Sequence, residues 1–417
     1  MGTNNTDQSL VRELAEKYPE RVIPGFGWHP WFSYLVWDDE DPELLALWET
    51  GEEGWEGEFK VRHFGKVLKG GGGGETGDGG RLEKGFVEAL GMPRRLRGDV
   101  VVELRRNLEF FKNQGRGVVL GEVGLDRGFR LPWPKSYHPP ASVSATVSEE
   151  GEEGKEKALS PYKVSMDHQV LVFVAQMKVA GEVGVPASVH GVQAHGTMFD
   201  TLRGMWRGWE LRVESRREMR ERVVRGRKLG GKEREWVDRF LLEDGKGLEE
   251  LDSEVEEDGN GVDEDKIPPP PLSNSSTTAT ATALPPRPKP PPGPHPFPPR
   301  ICLHSFSAPP QTLSQYLTNP TPTTAYPSEV YFSFSTTINS RNKSRLEEVL
   351  GMVPRERVLV ESDLHTAGEE MDRVLEGAVE VVRGVKGWSG EEVRRVVGEN
   401  WGRWVYGGQK EEGGGRD

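Results

Sequence analysis

Residues 117–126 read GVVLGEVGLD. The uninterrupted run Val118–Leu120 has no polar face, which is the pattern of a strand covered on both sides, as in a parallel sheet between layers of helix. The strand, taken as Gly117–Glu122, ends on a carboxylate. Five more short runs share this character: Arg21–Trp28 (RVIPGFGW), Val185–His190 (VPASVH), Arg300–Ser305 (RICLHS), Glu329–Ser333 (EVYFS) and Arg357–Glu361 (RVLVE). Helical patterns alternate with them. Ser9–Tyr18, Val100–Asn113, Met166–Gly181 and Glu391–Tyr406 carry apolar residues at helical spacing, for example Val101, Leu104, Leu108 and Phe111. Strand–helix alternation predicts an α/β fold with a parallel sheet and helices outside it.

Composition says how much of the chain belongs to that core. Only 34% of the 417 residues are hydrophobic, while 52 are Gly and 31 Pro. The reading is a single domain interrupted by insertions at about 38–95, 127–160 and 203–300. Within the last, Arg203–Arg239 is a charged block, Glu243–Asp265 an acidic run and Pro268–Pro299 Pro-rich. Residues 243–299 cannot bury enough apolar surface to offset their conformational entropy and are expected to lack a fixed fold. Their PPRPKPPP stretch has the form of a ligand for polyproline-binding domains, which makes it a candidate contact for a protein partner. The net charge of −13 argues against broad affinity for nucleic acid, without excluding a nuclease that recruits metal ions. A single cysteine, Cys302, permits no internal disulfide and suits a reducing compartment, cytoplasm or nucleus. No run is long and apolar enough for a membrane span.

Four strand ends deliver metal-type ligands: Glu122, His190, His304 and Asp363. In a β/α barrel the carboxyl ends of all strands converge on one face, so such residues can surround one point. Two imidazoles and two carboxylates suit Zn, Mn or Fe, and Mg less well.

At these positions the chain resembles the TatD-type metal-dependent deoxyribonucleases. GFGWHPW, GEVGLD, SVHG, LHSFS and VESD look like the family's signatures in order, and ENWGRWVYG resembles its C-terminal helix. The wording is closest to a fungal branch described as interacting with a subunit of the anaphase-promoting complex. The resemblance implies a TIM-like (β/α) barrel of the metal-dependent hydrolase type and phosphodiester hydrolysis, with DNA as the expected substrate. It implies two divalent ions (Zn, Mn or Mg), held partly by Glu122, His190, His304 and Asp363. Asp363 would also orient or deprotonate the attacking water, and His29 would contact the substrate phosphate or order its loop. Asp126 would support the site from behind or form the loop turn, Trp28 and Trp31 would be wall or core, and His195, His365 and Glu361 lie near it by sequence.

One departure matters. The family begins with a strand ending in His-x-His, and no His-x-His occurs in this chain. The expectation is a barrel incomplete at its N-terminus, starting at the helix Ser9–Tyr18, with six strands, one metal ion in place of two and weakened catalysis. The competing expectation is a catalytically impaired barrel that serves as a protein-interaction scaffold. A hydrolase of the wider amidohydrolase kind, acting on amides or lactones, is a third.

Overall fold

The protein is described by a computed structural model over residues 1–70, 82–137, 159–214, 218 and 293–407. All six expected strands form: β1 (Gly25–Phe26), β2 (Val119–Asp126), β3 (Ala187–Val192), β4 (Arg300–Leu303), β5 (Glu329–Phe334) and β6 (Val358–Val360). They pair side by side in sequence order, and every pairing is parallel. The connections run through helices α2 (Val102–Asn113), α3 (Met166–Val183), α4 (His195–Trp206), α5 (Pro310–Leu317) and α6 (Lys343–Met352). Helix α1 (Asn5–Lys17) precedes β1, and α7 (Glu369–Lys386) and α8 (Gly390–Tyr406) follow β6. This is the winding of a TIM-like (β/α) barrel.

Alternation along the strands sorts side chains into two layers. Ala187 and Val189, Ile301 and Leu303, Val330, Phe332 and Phe334, and Val358 face the helices and form the main core. The positions between them point inward. Val119, Cys302, Tyr331 and Leu359 meet Trp404 and Val405 of α8, which closes the amino end of the barrel. Arg300 fastens that floor by donating from Nε to the Trp404 carbonyl at 2.6 Å. One further inward step along β3, β4 and β6 brings His190, His304 and Glu361 to the carboxyl end.

Several boundaries differ from those expected. Helix α1 starts at Asn5, because Asn4 caps it and Asp7 closes a reciprocal capping box. The chain does not open on that helix. Gly2 donates to the Gly25 carbonyl at 2.8 Å and accepts from Glu122 N at 3.2 Å, and His29 N donates to Thr3 O at 2.8 Å. The residues before α1 thus lie against β1 and β2. Strand β1 is shorter than 21–28, since Pro24 has no N–H to give to a ladder.

The segment 38–95, expected only as an insertion into the domain, contains helices Pro42–Thr50, Trp55–Val67 and Lys84–Ala89. Trp37, Leu44 and Phe59 form one small core there, and Phe64, Val67, Phe86 and Val87 form another with Leu131 and Val164. Leu68–Gly70 pairs antiparallel with Tyr162–Val164, which ties this annex to the start of α3. Most of the stretch expected to lack a fold, 243–292, lies outside the described residues, as do 71–81 and 138–158. Its last part, 293–299, is described, and Phe297 is 1% exposed. None of the described helices is long and apolar enough to cross a membrane.

The docking of 293–299 depends on Gly181 in α3. A Cβ at this position would stand 2.3 Å from His295 O and 2.5 Å from Phe297 N, so backbone passes where a side chain would be. Alanine is normally the better helix residue by about 1 kcal/mol. Here Gly181→Ala is expected instead to destabilise by roughly 1–3 kcal/mol, because the clash is with backbone rather than a flexible side chain. Chemical denaturation checks this, and an unchanged or raised midpoint would contradict the close packing.

Candidate metal centre

Glu122 sits at the middle of the carboxyl-end face. Its Oε1 lies 2.8 Å from His304 Nε2, 3.1 Å from His190 Nδ1 and 3.3 Å from His29 Nε2. His190 Nδ1 and His304 Nε2 are 3.3 Å apart. Three strands deliver these imidazoles: His29 just after β1, His190 within β3 and His304 just after β4. Gly124 permits the close approach of β2 to β3. Its φ is +152°, and a Cβ there would stand 2.0 Å from His190 O.

Each imidazole is also held on its other nitrogen. His190 Nε2 faces Asp126 Oδ2 at 3.4 Å, and His304 Nδ1 faces Ser188 Oγ at 3.2 Å. Both outer partners can accept a hydrogen bond, so the inner nitrogens, which donate to Glu122 without metal, would carry the lone pairs offered to an ion once the rings are neutral. His29 is different. Its Nδ1 accepts the Trp31 backbone N–H at 3.2 Å, so its own proton belongs on Nε2. By distance alone, among the described residues, His29, Glu122 and His190 form a group with donor atoms within 4.8 Å that could hold a metal ion. By tautomer, the better donor set is Glu122, His190 and His304, with His29 a hydrogen-bond donor beside it.

Electrostatics follow from the burial. Desolvation works against the charged form of Glu122, but the positive His304 and hydrogen bonds from His190, His29 and His304 hold its carboxyl well below the usual range. Burial likewise opposes a charged His304, yet Glu122, helped by Glu361 and Asp363, pushes it up to about 9. Burial also opposes charge on His190, and Asp126 and Glu122 overcome it and raise its pKa. His29 goes the other way, because desolvation dominates and lowers it.

Asp363 is on the same face but is not one of the converging three. Among the described residues it accepts a hydrogen bond from Ser305 Oγ, at 2.9 Å. The same hydroxyl lies 2.8 Å from Glu361 Oε1 and 2.9 Å from Ser335 Oγ. One hydroxyl proton cannot serve both carboxylates. Burial raises the Glu361 pKa and so favours its neutral form, although the positive His304 pulls against this. Ser305, Asp363 and Gln193 have positive φ without being glycine, at +42°, +54° and +51°, and all three follow strand ends. Such backbone costs free energy and gathers at functional sites.

Ser305, Ser188 and Ser335 were not among the expected site residues, and only their spacing around the strand ends could have pointed to them. Trp31, expected as wall or core, is 40% exposed.

In metal-free protein the Glu122–His304 pair makes stability depend on pH. The His304 contribution is complete below 6.5 and is lost as pH rises through about 9. The Glu122 contribution is present above 4.5 and is lost as pH falls through its depressed folded value. Melting temperature in chelator should therefore be highest between pH 4.5 and 6.5 as far as this pair decides it, and should fall towards pH 9. Glu122→Gln should flatten that fall; a variant with the same slope as the parent would refute the coupling.

The chain matches the TatD related DNase family over residues 1–213 and 291–405, leaving out a stretch inside the insertion inferred from composition. It is 29% identical over 401 residues to the Cut9-interacting protein scn1 of Schizosaccharomyces pombe, covering 96% of this chain and 88% of that one. It is 25% identical over 205 residues to the uncharacterized deoxyribonuclease YMR262W of Saccharomyces cerevisiae, covering 48% of this chain and 50% of that one. The solved structure of YJJV, a TatD homolog from Escherichia coli, aligns at 11% identity with a TM-score of 0.41, over 97% of this chain and 84% of that one. With its matched segments holding all six strands and the whole carboxyl-end cluster, the chain belongs to the TatD related DNase family.

Proposed function

We propose that this protein is a metal-dependent phosphodiesterase that acts on DNA. The observation that carries the reading is the pair of oriented imidazoles. His190 and His304 are each held from behind and turn their inner nitrogens towards the Glu122 carboxylate. Two nitrogens and a carboxylate make a three-ligand set with room for water or substrate, suited to Zn or Mn before Mg. Together with Asp363 nearby, these residues supply one well-formed donor set, so one tightly held ion is the working stoichiometry. A divalent ion bound there supplies Lewis acidity, polarising a phosphoryl oxygen and acidifying water.

The chain's own groups do the rest. His29 donates from Nε2 to a phosphate oxygen. Asp126 keeps the His190 ring turned inward. Asp363 accepts the proton of the attacking water, and Ser305 positions its carboxylate. An intracellular site of action, in cytoplasm or nucleus, goes with this reading.

A second reading adds a protein partner. The relative of Schizosaccharomyces pombe is named for its interaction with Cut9, and the similarity extends over 96% of this chain. Binding of a partner through the Pro-rich insertion, or through the barrel surface, would be independent of the metal centre and would survive Glu122→Gln.

Metal analysis beside hydrolysis of DNA separates the roles. His190→Ala and His304→Ala should lose most bound Zn or Mn and the activity with it. Asp363→Asn should keep the metal and lose turnover by about 10²–10⁴-fold, the usual worth of a positioned general base. Equal metal loss in Asp363→Asn and His190→Ala would refute this division of roles. A folded, metal-loaded chain that cleaves no DNA would overturn the nuclease reading.

A further inference from the structure

Three tryptophans of the described residues show large exposed surface: Trp31 at 40%, Trp209 at 39% and Trp401 at 43%. Trp401 belongs to α8, the helix that closes the amino end, and Trp209 packs on His295 and Phe297 beyond the end of α4. Trp31 alone of the three borders the metal centre. Its ring centroid is 4.7 Å from that of His29 and 6.2 Å from that of His190.

Trp31 is exposed but not loose. Its ring stacks on Phe129 with centroids 4.9 Å apart and planes within 11°. Its indole N–H donates to Asp126 Oδ2 at 2.6 Å. Asp126 is 4% exposed and is itself fixed by the backbone N–H groups of Gly128 and Phe129, at 2.7 and 2.9 Å. The same carboxylate oxygen that receives the indole faces His190 Nε2. A large aromatic ring is thus locked in place from behind while much of its surface stays open to solvent, next to residues that would hold the reacting phosphate. Packing alone does not call for this, because a wall residue would be covered. The loop that carries Phe129 also carries Arg127 and Arg130, both exposed and, among the described residues, without a carboxylate partner. In a chain of net charge −13 they set positive charge beside the ring.

We propose that Trp31 is a stacking platform for a nucleobase flanking the scissile phosphodiester, and that it makes the site selective for nucleotide substrates over phosphodiesters that lack a base. The inference rests on the phosphodiesterase reading and goes beyond it by naming what the site recognises. A nucleobase suits the feature because every base has a π-face, so an aromatic ring held at a fixed angle reads bases without regard to sequence. A pre-positioned ring also binds without the cost of ordering it first. Arg127 and Arg130 would meet neighbouring backbone phosphates.

The test compares a single-stranded oligonucleotide with copies carrying one abasic residue on either side of the cleaved bond, using metal-loaded protein. The unmodified protein should show a KM about tenfold higher on one of the abasic copies. Trp31→Leu should raise KM about tenfold on the intact oligonucleotide and leave that abasic copy unchanged. Trp31→Phe should keep most of the preference. Both variants lose the N–H to Asp126, so their difference reports the ring and not the hydrogen bond. Equal impairment of intact and abasic substrates by Trp31→Leu, or equal losses in the two variants, would overturn the inference while leaving the nuclease reading in place. If no substrate is cleaved, anisotropy of the same labelled oligonucleotides in chelator decides. Base-dependent binding that Trp31→Leu abolishes supports the platform although the hydrolytic reading falls, and base-independent binding, or none, overturns it.

Discussion

The structure turns on a carboxylate held inside a barrel. Removing an ionised carboxylate from water is costly by several kcal/mol unless partners meet it inside. Glu122 is met by imidazoles arriving from β1, β3 and β4, each within 3.3 Å. That requirement couples elements far apart in the chain. The strands must be parallel for their ends to meet, the register of β2 on β3 must put Gly124 opposite His190, and β4 must end one residue before His304.

The inner and outer faces of the strands then divide the work. Outward residues join the sheet to its helices. Inward residues change character from floor to rim: Val119, Cys302, Tyr331 and Leu359 on α8 give way to Ser188 and Ser333, and then to the imidazoles and carboxylates. The serines are small enough to leave room and polar enough to hold the outer nitrogens and the carboxylates above them. Ser188 holds His304, and Ser305 links Glu361 to Asp363. A purely apolar interior would strand these polar groups, so the middle layer is what lets an oily floor and a charged rim share one barrel.

Much of this was legible before any coordinates. Six apolar runs gave six strands because strands buried on both faces leave an unbroken hydrophobic signature. Glu122, His190 and His304 stand out in the sequence because polar residues interrupt those runs at their ends, and the fold brings the three together. What was not legible depended on backbone conformation or on neighbours remote in sequence. Asp363 was grouped with the other three, but its left-handed backbone and the nearby Ser305 set it apart from the imidazoles. Trp31 is held beside His29 and His190 by Asp126, at the end of β2, and Phe129, about a hundred residues further along the chain. The annex was read only as an insertion, although Trp55, Phe59 and His63 stand four apart on one helix and signal an ordered element there.

Strands β3 and β4 lie side by side, yet the chain between them runs from residue 193 to 299. The entropy lost in closing so long a loop grows only with the logarithm of its length, by about 0.6 kcal/mol for each doubling. Most of that cost is already met by the first dozen or so residues that any crossover between parallel strands needs. As far as closure entropy decides, the length of the connection can therefore change widely at little cost, provided α4 keeps its place in the core, Leu211–Arg212 still reaches Thr324–Ala325 and 293–299 still reaches α3. Closure entropy thus sets little limit on how much sequence the barrel can carry between two neighbouring strands.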